Sequence, residues 1–317
     1  MPILRLWVAT LLLALPFTAQ PAEKMVRVVV PYGSGDLDNL GRMFTQQLAA
    51  TLKETWIVEN MAGANGTIGV NHVARARPDG RTLLFTSNGQ YVAPLVTRNV
   101  PYDPVKDFVP IAAVVTSPLV LVVNPQKVKA NNLTELVAAM KAAPGEYTFA
   151  HAGLGTSPHM VAVAFQQRAG VTGMLVPYKS TGAATADVIA GHVSMMFLTP
   201  LLSTQLVSAG RLKALAITSP QRLEVAADLP TMSEAGLPGF VVNNAYGYWA
   251  PKGLPADELA RLSEAMRTVS QDAGLRGRLA ALGMAPVWQP PEEFAQYIEK
   301  EYANSKALLD KAGVKPE

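Results

Sequence analysis

Cysteine is missing from the whole 317-residue chain, and with it go disulfides, thiol nucleophiles and thiolate metal sites. Charge is sparse as well: 27 Lys and Arg face 24 Asp and Glu, and charged types make up 16% of residues. A balance this near neutral, spread evenly along the chain, leaves no basic stripe for nucleic acid. Histidine occurs four times, as His72, His151, His159 and His192, and no two share a helix face at metal-ligand spacing. Past the N-terminal segment, the longest apolar candidate, Met195 to Leu202, is interrupted by Thr199 and Pro200, well short of the ~20 residues of a membrane helix. The chain has no internal repeat and no low-complexity tract, and no cofactor motif survives inspection.

What is present begins with an export signal over residues 1–22: Arg5 supplies the positive start, Leu6 to Leu15 the apolar stretch and Thr18 to Ala22 the small residues, with Ala19 or Ala22 as the cleavage point. The expected location is the periplasm. The remaining chain, roughly 295 residues, corresponds to about two domains at ~150 residues each.

Strand and helix patterns alternate, the signature of an α/β protein with parallel-rich sheets covered by helices. The first series has strands at Val26 to Val30, Trp56 to Glu59 and Thr82 to Thr86, with helices near Leu37 to Leu52 and Thr67 to Ala76. A second series runs from the helix at Leu133 to the strand ending at Ile217. Between them lies the apolar connection Val114 to Pro125, broken by Pro118, and Gly236 to Asn244 returns the chain before a strand at Tyr246 to Ala250. Two crossings imply a hinge. The expected division is residues 23–123 for the first lobe, 124–242 for the second, and 243–317 for a return to the first. Phe294, Ile298 and Tyr302 recur at four-residue spacing in a terminal helix that packs on the first lobe.

Where strands give way to helices, one chemistry repeats. The turns are Gly33-Ser34-Gly35, Gly63 to Thr67, Ser87-Asn88-Gly89, Gly153 to Ser157 and Ser180-Thr181-Gly182. Small residues and hydroxyls at a helix start leave backbone N–H groups facing outward, and a carboxylate can accept them. In open α/β sheets such turns sit at the carboxyl ends of strands, where ligands bind. Turn and cap formation alone also explains any one of them; their recurrence in both series points to one cavity.

The order VVPYGSGDLDNLGR, IVENMAGANGTIG, PDGRTLL, VPYDPVKDF, LVVNP, GLGTSPH, VPYKSTG and GRLKALAITS resembles the Bug or TctC family, periplasmic solute-binding components of tripartite tricarboxylate transporters. The resemblance implies a two-lobed, type II periplasmic-binding-protein (Venus flytrap) fold that closes on a small organic acid and presents it to membrane permease subunits, acting as a monomer and not as an enzyme. It also implies ligand contacts from the first loop, Tyr32 to Asp38, and from Gly155 to Ser157 and Pro177 to Gly182. The first family loop runs close to PFPPGGxxD, whereas PYGSGDLD has one residue fewer and an extra acid, Asp36.

The expected ligand set is Tyr32, Ser34, Gly35, Asp36, Asp38, Asn65 and Ser87 from the first series, and Thr156, Ser157, His159, Tyr178, Thr181 and Gly182 from the second, with Tyr246 on the returning strand. Tyr32, Tyr178 and Tyr246 are candidate aromatic walls, and His159 is a cap neighbour or a neutral donor lining the cleft. Asp38 either caps its helix, holds a water under the ligand or pairs with an amine. The extra Asp36 keeps a neutral amide or an amino acid open beside the carboxylates. Rival classes fail on chemistry. A dinucleotide site would need glycine where Asp38 stands. Ser157 and His159 point apart at ~100° per residue and cannot form a nucleophile and base pair. A calcium-loop reading from Asp36 places Leu40 and Gln47 where oxygen ligands are required.

Overall fold

Residues 25–33 and 35–316 are described by the computed structural model. The signal-like segment and Ser34 lie outside the described residues. The chain opens with β1 (Met25–Val30), α1 (Asp36–Leu52), β2 (Thr55–Asn60), α2 (Thr67–Ala74), β3 (Thr82–Thr86), α3 (Gly89–Val96) and β4 (Phe108–Pro118). It crosses into β5 (Val120–Val123), α4 (Leu133–Ala142), β6 (Thr148–His151), α5 (Ser157–Ala169), β7 (Met174–Pro177), α6 (Thr181–Ala190), β8 (Met195–Leu198), α7 (Pro200–Ser208) and β9 (Lys213–Ile217). It returns through β10 (Asn243–Pro251), α8 (Ala256–Ser270), α9 (Ala273–Ala281), β11 (Ala285–Gln289) and α10 (Pro291–Lys311).

These strands form two sheets, ordered β11-β4-β10-β3-β1-β2 and β7-β6-β8-β5-β9. Each lobe is one sheet with helices on both faces, and the strands read as apolar runs because both sides are buried. In β1, Val28 and Val30 pack toward α1 and α8, while Val29 faces the opposite core with Trp249 and Phe294. In β5, Leu121 and Val123 serve one core and Val120 and Val122 the other. Helix α1 closes the first face with Leu40, Phe44 and Leu48 at four-residue spacing, all buried.

Two expectations need correction. The sheets are mixed rather than parallel-rich: β1, β2 and β3 are parallel, but β10 runs antiparallel to both β3 and β4, and β5 is antiparallel to β8 and β9. A strand that crosses between lobes and one that returns must enter each sheet from the cleft end, and that reverses their sense relative to some neighbours. The lobe boundary also lies earlier. Val120–Val123, assigned above to the first lobe, pairs in the second sheet, so the crossing falls at Pro118 and Leu119. The uniformly apolar stretch carries no compositional break there except the proline.

Thr218 holds the two crossings together. Its hydroxyl donates to Val242 O at 2.6 Å and accepts from Leu119 N at 2.9 Å, while backbone pairs join Thr218 to the same two residues. The side chain is fully buried, so both connections are paired where the lobes join.

Candidate functional site

The turns at the cleft ends of the two sheets meet across a gap between the lobes. Asn65 donates through Nδ2 to Leu154 O at 2.9 Å, and Ser157 Oγ donates to Asn88 Oδ1 at 2.8 Å. Asn88 in turn donates to Gly155 O at 3.5 Å, and Thr199 Oγ1 reaches Asp36 Oδ2 at 3.4 Å. Four side-chain hydrogen bonds thus join the ends of β1, β2 and β3 in the first lobe to the ends of β6 and β8 in the second. Close approach also needs glycine: Gly155 has φ +74, and its Cβ position lies 2.9 Å from Val96 Cγ2 of α3.

Five of the helices that begin at these strand ends share one property. α1, α2, α3, α5 and α7 start after Gly35, Gly66, Asn88, Thr156 and Thr199, and in none does a side chain cap the first turn. α6, at the end of β7, is capped by Ser180, as α4 and α9 are by Asn132 and Asp272, while α8 and α10 also start without a side-chain cap. Uncapped first turns leave N–H donors and the positive helix end directed into the gap.

Several expected ligand residues have other duties. Asp38 is 5% exposed; its Oδ1 accepts from Arg42 Nε at 2.9 Å and Asn60 Nδ2 at 3.0 Å. Asn60 Nδ2 also donates to Tyr32 O at 3.0 Å, and Arg42 donates to Asn60 Oδ1. Asp38 therefore anchors the β1–α1 loop, and it is not the helix cap. Tyr32 packs its hydroxyl against Gly66, 3.0 Å from that residue's Cβ position, and against Gly89, glycines of two of the facing turns. Burial there pushes the phenol up to about 12. Tyr178 turns back to donate to Asp187 Oδ2 at 2.6 Å. Tyr246 sits in the first core with Phe85's side of the sheet, its phenol pushed up to about 12 by burial and, to a smaller degree, by Asp36.

Thr156 uses its hydroxyl to close its own loop on Gly153 O at 2.7 Å. Ser87 donates to Asn88 Oδ1 at 3.3 Å. Thr181 and Gly182 are exposed at the start of α6, where Ser180 caps Ala183 N. Gly35 and Asp36 lie at the exposed start of α1, beside a cavity of about 180 Å³ lined by Asn39, Thr199 and Gln205 among others. The residues missed from sequence are Asn88, Thr199, Arg42 and Asn60. The first two act only once the lobes face each other.

His159 is fully buried and accepts from Gly155 N through Nδ1 at 3.1 Å, so it supports the closing loop from beneath and does not line the gap. Its ring lies 4.6 Å from that of His151, whose Nδ1 pairs with Gly153 O at 2.9 Å. Burial, and to a lesser extent His151, pull His159 down to about 4; burial lowers His151 as well. A folded-state value below the unfolded ~6.5 means the unfolded chain binds the extra proton, so stability is complete above pH 6.5 and falls toward pH 4. Urea unfolding should therefore show a loss of about 2 kcal/mol by pH 5 from this group. His159→Asn, which keeps an acceptor near the Nδ1 position, should flatten that slope, and an unchanged slope in the variant would reject the assignment.

Among the described residues no helix is long and apolar enough to cross a membrane. Residues 40–314 match the profile of TctC, the tripartite tricarboxylate transporter family receptor. Three solved structures share the architecture. The periplasmic binding protein BugD is 33% identical with a TM-score of 0.80, over 92% of this chain and 99% of that one. A protein of R. palustris with adipate is 27% identical with a TM-score of 0.83, over 92% and 98%. MatC from Rhodopseudomonas palustris with bound malate is 30% identical with a TM-score of 0.79, over 90% and 98%. With two mixed sheets, facing turns and this extent of likeness, the chain belongs to the TctC family and is a solute-binding receptor, not an enzyme.

Proposed function

We propose that this protein is exported to the periplasm, binds a small dicarboxylate in the gap between its lobes, and delivers it to a membrane permease. The observation that carries the reading is the set of uncapped helix starts that face one another: α1 and α3 from the first lobe, α5 and α7 from the second. Each ligand carboxylate accepts N–H bonds from one lobe, and closing brings the second set into reach. Charge-assisted bonds contribute ~1.5 to 3 kcal/mol each, so a handful suffices for micromolar affinity, about −8 kcal/mol, after the cost of association. Arginine is not needed. Adipate and malate in two relatives support a dicarboxylate of short to medium length.

A second reading, a ligand carrying an ammonium or amide, rests on Asp36, whose carboxylate meets Thr199 across the gap and disfavours a dianion beside it. Thermal unfolding against dicarboxylates, monocarboxylates, amino acids and amides separates the two. A dicarboxylate at 100 times its dissociation constant should stabilise by about 2.7 kcal/mol and be recovered unchanged. Stabilisation by amides or amino acids alone would transfer the assignment to the second reading, and conversion of the compound would reject both.

A further inference from the structure

Helices α1 and α3 cover opposite faces of the first sheet, and on the α3 side of the gap, away from Asp36, lies a cavity of about 240 Å³. It opens between α3, α5 and α10, with Ser117 and Val242 of the two crossings in its floor. Asn88 and Ser157, hydrogen-bonded to each other at 2.8 Å, belong to the facing turns and form the edge of the cavity toward the gap.

Its chemistry is the inverse of the gap's. Glu301 lines it, partly buried, and its carboxylate takes one hydrogen bond, from Asn304 at 3.1 Å. No Lys or Arg among the described residues forms an ion pair with it. Tyr91 and Tyr297 stand close enough that this charge adds to burial in holding both phenols above their usual range. A carboxylate would be repelled. An ammonium brings N–H donors and a positive charge to the Glu301 carboxylate. Met160, Val161 and Leu308 offer the remaining wall to hydrocarbon.

We propose that this cavity is a second ligand site, for a compact organic amine whose ammonium is held by Glu301 and whose apolar body lies against Met160 and Leu308. The site does not depend on the ligand proposed for the gap.

Benzylamine is the probe, compared by calorimetry at pH 7 with benzyl alcohol and benzoate. The amine should bind at least about tenfold more tightly than either. Glu301→Gln, a shape-conserving change on a partly exposed residue, should weaken it by a similar factor, and Ala164→Phe, which fills the cavity, should abolish it. Carboxylate binding in Glu301→Gln, read by the thermal assay above, should be unchanged, so a failure of one site is distinguishable from a failure of the other. The assignment is overturned by no preference for the amine, by binding that survives Glu301→Gln, or by loss of amine binding in Asp36→Asn, which would put the amine in the gap.

Discussion

Gly247→Ala should destabilise the protein by about 3 kcal/mol, at the upper end for one added methyl group. The new Cβ would lie 2.6 Å from Ala112 O and 2.5 Å from Phe294 Cε1. Neither neighbour can yield. Ala112 belongs to β4, paired with β10 at this point, and the pairing shifts register between Tyr246 and Gly247, so the glycine sits where the strand is pinched. Phe294 is 1% exposed and packs on Trp249 with ring centroids 4.9 Å apart. Equilibrium urea unfolding measures the loss. A second change, Phe294→Leu, should relieve the ring contact but not the carbonyl contact, so the double variant stays below wild type. An unchanged midpoint for Gly247→Ala would mean that β10 does not follow this path.

Gly155→Ala should weaken carboxylate binding by about thirtyfold, about 2 kcal/mol. Two effects meet at this residue, and they can be separated. Its left-handed φ of +74 strains any L side chain by ~1 to 2 kcal/mol, and this affects the second lobe whether or not the lobes are closed. The added carbon would also meet Val96 Cγ2 at 2.9 Å and Val92 Cγ1 at 3.1 Å, both on α3 of the first lobe, and that contact exists only when the lobes meet. Gly170→Ala is the control: φ is +64 and nothing lies within 4 Å of its Cβ position. It should lose stability and keep its affinity. Equal affinity for Gly155→Ala and wild type in calorimetry would show that binding proceeds without the observed approach of the lobes.

Much of the architecture was readable because local pattern and tertiary environment agree. The strand Thr82–Thr86, an apolar run between turns, has the bounds expected from sequence; the helix that follows the expected turn Ser180-Thr181-Gly182 starts at a serine cap and ends at Gly191 in the left-handed region. α3 was missed. It begins with glycine and contains Pro94, both adverse to a helix. What rescues it is remote: the carbonyl of Gln90, which a residue at Pro94 would normally pair with, accepts from Tyr102 Oη at 3.2 Å. β11 was missed for a related reason, since Pro286 sits at a register shift and leaves little alternation to read.

At the site, the turns were legible and the partnerships were not. Glycine and hydroxyl clusters after strands mark helix starts from local chemistry alone. That Tyr32 fills a notch made by Gly66 and Gly89, that Tyr178 turns to Asp187, or that Asn88 clasps Ser157 depends on segments far apart in sequence. Asp38 shows the limit most clearly. Its type and position suggested a cap, yet an arginine one turn on and an asparagine on the neighbouring strand take its carboxylate.

Amide proton and nitrogen shifts, recorded while the best-stabilising dicarboxylate is titrated into labelled protein, test whether first-turn N–H groups of both lobes hold one ligand. The amides of Asp36, Leu37, Ser157, His159 and Leu201 should move downfield together and saturate at a single concentration. Shifts confined to one lobe, or centred on side chains and turns away from these helix starts, would contradict it.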